Sequence, residues 1–239
     1  MIWKKGKPVS EYLKFMEKYF PYSSKIPNED KIYQLVCENN LMVGIILSNM
    51  DASRFYMNEE KLIFYRRYRD GVNKILIYIP LNDEIGIYAC MRYSIEQLLK
   101  FIYSIYFEKN IADISRTSYR YIKEDIKKNR NIDTDIKECL LKLYTYYANY
   151  SNDLHDKEVT CNKELDFLGN IIQSENEFAD GVEKDLRNIL ILSYKIMCHV
   201  FDIKYNLLNV SERSSLESLK SKGGKRKIYS ILKRGDITE

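Results

Sequence analysis

Asn82-Asp-Glu-Ile-Gly-Ile-Tyr-Ala-Cys-Met-Arg-Tyr-Ser-Ile-Glu-Gln-Leu-Leu-Lys-Phe-Ile-Tyr-Ser-Ile-Tyr-Phe107 is the stretch that decides the fold class. Asn82-Asp-Glu is a helix start, because short polar side chains cap free backbone N–H groups. Ile87, Met91, Ile95, Leu98, Leu99, Ile102 and Ile105 then recur at steps of three and four, which puts them on one face of a helix from about Glu84 to Phe107. Arg92, Glu96 and Lys100 recur at steps of four on another face, with Glu96 before Lys100 in the favoured order for an ion pair. A charged stripe on so apolar a helix is placed to meet other protein, and buried charges need partners. The plainer reading is a solvated ladder of ion pairs.

The same periodicity runs outward in both directions. Ser10 is placed to cap a helix over Glu11 to Tyr19, stopped by Pro21, and Asn28 to start a second carrying Ile32, Leu35, Val36, Leu41, Val43, Ile46 and Leu47. Asn58-Glu-Glu opens a third that runs to Pro80, with Arg66, Arg67 and Arg69 clustered on it and Ile75, Leu76, Ile77 and Ile79 reading as buried. Downstream, a fifth helix is expected over Ile111 to Lys128 and a sixth over Asp133 to His155, with Ile136, Leu140, Leu143, Tyr144 and Tyr147 inward. Asp156 to Glu175 reads as a loop with a short helix near Leu165 to Ile172, and Asp180 to Leu208 as the last core helix. Beyond Asn209 the polar, serine-rich run and the basic Lys222-Gly-Gly-Lys-Arg-Lys227 and Lys233-Arg234 read as a mobile tail with a short basic helix. No strand pattern is visible.

Composition agrees. The chain has 239 residues, 45% of them hydrophobic, with only 9 glycines and 4 prolines, too little punctuation for sheets and long loops. Net charge is +4, which permits an anionic partner without demanding one. Cys37, Cys90, Cys139, Cys161 and Cys198 are scattered singly, without CxxC spacing, so neither a zinc site nor a disulfide framework is expected. No metal ligands and no cofactor motif are visible. With no signal-peptide pattern and no apolar run of membrane-spanning length, a cytoplasmic location without membrane association is expected.

A second polar face lies at the end of the sixth helix. Tyr147, Ser151 and His155 stand at steps of four. Histidine titrates near neutrality, and His155 is one of two in the chain. Glu96 is the natural partner to orient its ring, and Ser151 can bond either. From the residues alone, the favoured reading is a hydrogen-bonded network pinning two helices. His199, among Met197, Cys198, Val200 and Phe201, reads as a core histidine. Arg116, Arg120, Lys123 and Lys127 form a basic stripe at spacings of four, three and four, fit to grip phosphates or simply to be solvated.

Glu96-x-x-x-Lys100 followed by Tyr147-x-x-x-Ser151-x-x-x-His155 resembles the HEPN superfamily over roughly Asn82 to Leu208, and Ser151-Asn-Asp-Leu-His155-Asp is similar to the S-x-x-x-H-G ending of many members. The resemblance implies an all-α four-helix bundle, here with an N-terminal helical extension over residues 1–81 and a basic tail over 209–239. It further implies an RNA-directed protein of a bacterial defence or toxin-type system, acting as a metal-independent endoribonuclease and pairing as a homodimer, with an antitoxin or defence-system protein as partner. His155, Ser151, Glu96 and Arg92 would then be catalytic, and Lys100, Arg116, Arg120, Lys123 and Lys127 would bind RNA. Ribonuclease members carry an arginine in the pattern R-x4-6-H. Here the residues five, six and seven before His155 are Tyr150, Asn149 and Ala148. The cation must come from elsewhere, with Arg92 first and Arg120 second. Without it, the chain reads as a non-catalytic HEPN-like module binding a partner protein or nucleotide.

Overall fold

The computed structural model of the chain describes residues 7–21, 29–50, 59–107, 109–156, 178–219 and 222–233. Among these the architecture is all-helical: α1 Lys7–Tyr19, α2 Glu29–Asn49, α3 Glu59–Tyr78, α4 Glu84–Tyr106, α5 Ile111–Arg116, α6 Tyr119–Lys128, α7 Thr134–Asp156, α8 Phe178–Val200, α9 Val210–Glu217 and α10 Lys222–Lys233. The expected short helix near 165–172 lies outside the described residues, as does Cys161.

Helix α4 is the axis. Asp83 caps it by accepting from the Gly86 N–H at 2.8 Å. Every residue from Gln97 to Ser104 is buried, so the second half of the helix is covered on all sides. A helix wrapped in this way belongs at the centre of a bundle. Helices α3 and α7 lie along it, α5 and α6 cross its C-terminal half, and α8 closes the core between α7 and α2. Ile32, Leu35, Phe64, Tyr68, Leu98, Phe101, Leu143, Leu186 and Ile196 belong to one continuous hydrophobic cluster, so α2 and α3 share their core with the later helices.

Two glycines let α3 and α4 approach closely. A Cβ on Gly71 would overlap Ser94 Oγ, and one on Gly86 would overlap the Tyr78 ring. Both glycines therefore mark where the helices touch rather than where they break. Between α3 and α4 the chain reverses through a Schellman closure. Asn82 takes φ 51°, Asp83 N–H reaches Tyr78 O at 3.1 Å, and Asn82 N–H reaches Ile79 O at 3.0 Å.

A second Schellman closure shortens the last core helix. Asp202 has φ 51°, with Ile203 N–H on Cys198 O at 2.8 Å and Asp202 N–H on His199 O at 3.2 Å. Helix α8 thus ends at Val200, not at Leu208. Asparagine and aspartate tolerate the left-handed conformation that the motif needs, so the stop at Asp202 carries no glycine to mark it, whereas the break near Asn82 falls where Pro80 and Asn82-Asp-Glu place it.

Other expectations shift for equally local reasons. Ser10 lies inside α1 and does not cap it. Ile77 is exposed and Leu76 only half-buried, because α3 keeps one face to α4 and the four residues span more than that face. His199 is exposed in the last turn of α8, so it is not a core histidine. The expected fifth helix is two. Thr117 and Ser118 are extended, and the Thr117 N–H and Oγ1 both donate to Asp113 O, at 2.9 and 2.8 Å, closing the last turn of α5. The serine-rich run after Asn209 is α9, started by a capping box in which Glu212 N–H reaches Asn209 Oδ1 and Asn209 N–H reaches Glu212 Oε2, both at 2.9 Å. Leu216, Ile228 and Leu232 tuck α9 and α10 into the main core.

Candidate functional site

The α4–α7 pair builds the polar site. Tyr88 packs on Tyr150 with ring centroids 5.2 Å apart, while Arg92 meets Tyr147 and Ser151. Tyr88 also lies near Asp153, whereas Tyr103, farther along α4, lies near Tyr144, so climbing α4 descends α7 and the two helices are antiparallel.

Arg92 is the centre. Its Nε donates to Ser151 Oγ at 3.0 Å and its Nη2 donates to Tyr147 Oη at 3.0 Å. Ser151 Oγ in turn donates to Tyr147 O one turn back, at 2.8 Å. The guanidinium carbon lies 5.2 Å from the Tyr147 ring centroid, and Tyr119, the first residue of α6, packs the same ring at 4.5 Å. Tyr147 is buried and Arg92 and Ser151 are half-buried. Among the described residues no carboxylate pairs with Arg92, so its charge is held by neutral hydroxyls and a ring. Sequence spacing brought the right three residues together: Arg92, Tyr147 and Ser151 do form one cluster.

Glu96 and Lys100 form a different one. Lys100 Nζ lies 2.8 Å from Glu96 Oε1 and donates to Ser115 O at 2.8 Å. The lysine side chain is only 9% exposed. It closes the C-terminal end of α5, where a cation suits both the orphan carbonyl and the dipole. As an RNA-binding cation Lys100 is thus already committed inward, against the expectation for it.

The expected Glu96–His155 approach falls on a side chain outside the described residues, while Glu96 itself is paired with Lys100. His155 lies in the last turn of α7. Its backbone is one turn beyond Ser151, while Glu96 is one turn beyond Arg92 in the opposite sense. Two turns separate their levels, about 12 Å at 1.5 Å per residue. The carboxylate on α4 at the level of His155 is Glu84, which accepts from Tyr88 Oη at 2.5 Å. Tyr150, next along α7, donates to Asp185 Oδ2 at 3.0 Å. Burial first, and then these carboxylates, hold the Tyr88 and Tyr150 hydroxyls well above the usual phenol range. Sequence reasoning missed Glu84, because α5 and α6 lie between α4 and α7 and the direction of one helix along the other cannot be read from a short connection.

The basic stripe is split. Arg116 sits on α5, and Arg120, Lys123 and Lys127 on α6, with the extended Thr117–Ser118 step between them, so the four do not share one helix face. Arg116, Arg120 and Lys127 are exposed. Lys123 is half-buried, with its Nζ 5.6 Å from the Tyr144 ring centroid. Because Tyr119 packs on Tyr147, the start of α6 with Arg120 borders the Arg92 cluster.

A third polar group, not foreseen, lies between α2, α3 and α8. Tyr68 Oη donates to Asn39 Oδ1 at 2.9 Å and Ser193 Oγ lies 3.0 Å from the same hydroxyl. Glu38 beside it is 4% exposed, and burial pushes its carboxyl up to about 7 against the opposing pull of Arg187. Its sequence context, Val36-Cys-Glu38-Asn-Asn40, carries no signal of burial other than its place on the apolar stripe.

Among the described residues no group of three or more His, Cys, Asp or Glu is arranged to hold a metal ion, and no helix is long and apolar enough to cross a membrane. Family models, curated proteins and solved structures give no match to this chain.

Proposed function

We propose that this chain is a HEPN-like, RNA-directed protein of a bacterial defence or toxin-type system, and that the Arg92–Ser151 end of the α4–α7 pair is a metal-independent endoribonuclease site. One observation carries the reading. Arg92 crosses from α4 and sits against Tyr147 and Ser151, on the face of α7 that leads one turn later to His155. A cation from a neighbouring helix thereby stands on the stretch of α7 just before the histidine, where the resemblance calls for an arginine that α7 itself lacks.

In this reading His155 takes the proton of a ribose 2′-hydroxyl, the 2′-oxygen attacks the adjacent phosphorus, and the phosphorus–5′-oxygen bond breaks, the 5′-oxygen taking a proton from water and leaving a 2′,3′-cyclic phosphate. Arg92 stabilises the negative charge that builds on the phosphorane oxygens. Glu84, at the level of His155, orients the imidazole in the place first given to Glu96. Arg120, at the border of the cluster, receives the strand. The homodimer and an antitoxin-type partner remain part of the proposal through the resemblance.

The test is direct. Purified protein is incubated with total RNA and short oligoribonucleotides, with and without EDTA, beside His155→Ala and Arg92→Ala. Cleavage that survives EDTA and falls on the order of a hundredfold or more in His155→Ala supports the proposal. RNA left intact by the wild type at all concentrations rejects it.

A second reading has its own support. Arg92 already spends two donors on Ser151 and Tyr147, so the cluster also works as a neutral pin between two helices. On that reading the chain is a non-catalytic module that binds a partner protein or nucleotide, and His155→Ala changes stability only.

A further inference from the structure

Beyond the C-terminal end of α8 a second constellation assembles, remote in the chain from α4 and α7. Tyr205, in the 3₁₀ turn Tyr205–Leu207, meets Tyr229 of α10 with ring centroids 5.3 Å apart and planes tilted by 40°. Three cations gather on this pair. The Arg213 guanidinium carbon lies 5.4 Å from the Tyr205 centroid, Lys225 Nζ lies 5.8 Å from Tyr229, and Lys233 Nζ lies 5.9 Å from both. Arg226 and Lys227 stand exposed on the same helix.

Charge is concentrated here. Helix α10 carries five basic residues and no acidic one. The last 30 residues hold eight basic against four acidic residues, which is the same +4 as the entire chain, so the rest is neutral. Among the described residues no carboxylate pairs with Lys225, Arg226, Lys227 or Lys233, and Lys225 Nζ donates instead to the Glu217 carbonyl at 2.8 Å. Glu212 is occupied with Ser48, Asn49 and the Asn209 N–H. Packing this many like charges together is unfavourable unless an anion neutralises them.

The class of anion follows from what α10 shows and what it hides. Ile228 and Leu232 are buried in the core with α8 beneath, so the apolar face that a membrane-bound basic helix would need is already used. What faces outward is two half-exposed aromatic rings among cations that lack carboxylate partners. That combination suits a flexible polyanion carrying flat groups, with bases stacking on the rings and phosphates meeting the ammonium groups. We propose that the Tyr205–Tyr229 surface is a binding platform for single-stranded RNA, with Lys225, Arg226, Lys227 and Lys233 on the phosphates. RNA rather than DNA rests on the proposed endoribonuclease function. The platform itself rests on the ring–cation cluster.

The experiment is fluorescence anisotropy of a labelled, unstructured oligouridylate with the full chain, across a salt series. Variants are Tyr229→Leu, the charge variant Lys225→Gln/Lys227→Gln/Lys233→Gln, and Lys31→Gln on the surface of α2 as a control, each checked for an unchanged thermal melt. Tyr229→Leu should weaken binding about tenfold with little change in salt slope, as expected for loss of one stacked base. The charge variant should lower the salt slope by about one for each phosphate no longer neutralised, and Lys31→Gln should match the wild type. Equal affinity and slope in all variants overturns the platform, as does absence of binding by the wild type at low salt. Preferential capture by anionic phospholipid vesicles also overturns it. Cleavage is scored separately: binding without cleavage leaves the platform standing and removes the nuclease, whereas cleavage with variant-independent binding does the reverse.

Discussion

Arg92 on α4 and Ser151 on α7 are joined by a 3.0 Å hydrogen bond from Nε, and the same guanidinium reaches Tyr147 Oη through Nη2. Two donors from one rigid plane therefore fix the rotation of both helices about their axes. Arg92→Lys offers a single point donor in place of a planar fork and cannot make both bonds at once. Urea denaturation should show Arg92→Lys and Arg92→Ala destabilised by about 1–3 kcal/mol, the cost of leaving half-buried hydroxyls without their charged partner. Wild-type stability in Arg92→Lys would show that the fork geometry is irrelevant.

Register separates Glu84 from Glu96. If His155 moves protons, Glu84→Gln should displace the pH–rate profile of RNA cleavage, because it removes a negative charge from the level of the imidazole. Glu96→Gln should leave that profile in place while weakening the Lys100 anchor and the melt of α5. The opposite pattern in the two variants would mean that the antiparallel levels do not govern the site.

Gly71 and Gly44 make opposite predictions from one substitution. A methyl on Gly71 overlaps Ser94 Oγ, whereas a methyl on Gly44 meets nothing within 4 Å. Gly44→Ala should stabilise by up to about 1 kcal/mol through helix propensity. Gly71→Ala should destabilise by about 1–3 kcal/mol, since the clash between α3 and α4 outweighs the same propensity gain. Thermal melts of the two variants moving in the same direction would contradict the close approach.

Glu38 gives a pH dependence with a definite sign. Its carboxyl is raised from 4.5 to about 7 in the folded chain, mainly by burial. Between those values the folded state binds more protons than the unfolded state, so stability falls as pH rises through the window. The full difference is roughly 3 kcal/mol at about 1.36 kcal/mol per pH unit. The melting temperature should drop as pH rises from 4.5 through about 7, and Glu38→Gln should flatten the drop and melt higher at the alkaline end. A pH-independent melt in the wild type would mean that Glu38 is solvated.

Long periodic segments were legible because hydrophobic spacing is a local property. The stripe from Ile87 to Ile102 is buried as its spacing demands, and Arg92, Tyr147 and Ser151 meet as their steps of four suggest. What escaped depends on things that spacing does not carry. The helix end at Asp202 uses a left-handed residue other than glycine. The split at Thr117–Ser118 is two residues of extended backbone inside an otherwise helical pattern. Which α4 residue stands level with His155 depends on the direction of one helix along the other, which spacing within a helix does not carry. Glu38 and Lys100 are buried because the core closes around them from helices far away in the chain.

Glu212 caps α9, yet its carboxylate also accepts from Ser48 and Asn49 at the end of α2. One side chain thus starts α9 and clasps it to a helix more than 160 residues earlier. The serine-rich segment is therefore a strap across the globule, and the basic helix after it is carried on that strap. Trypsin offers a way to see this. The peptide bonds after Lys225, Arg226 and Lys227 look like inviting targets in the sequence, but they lie in a helix pinned by Ile228 and Leu232. Their rate of cutting becomes a clock for the strap's release, and Glu212→Ala should make that clock run faster without touching the helix that is cut.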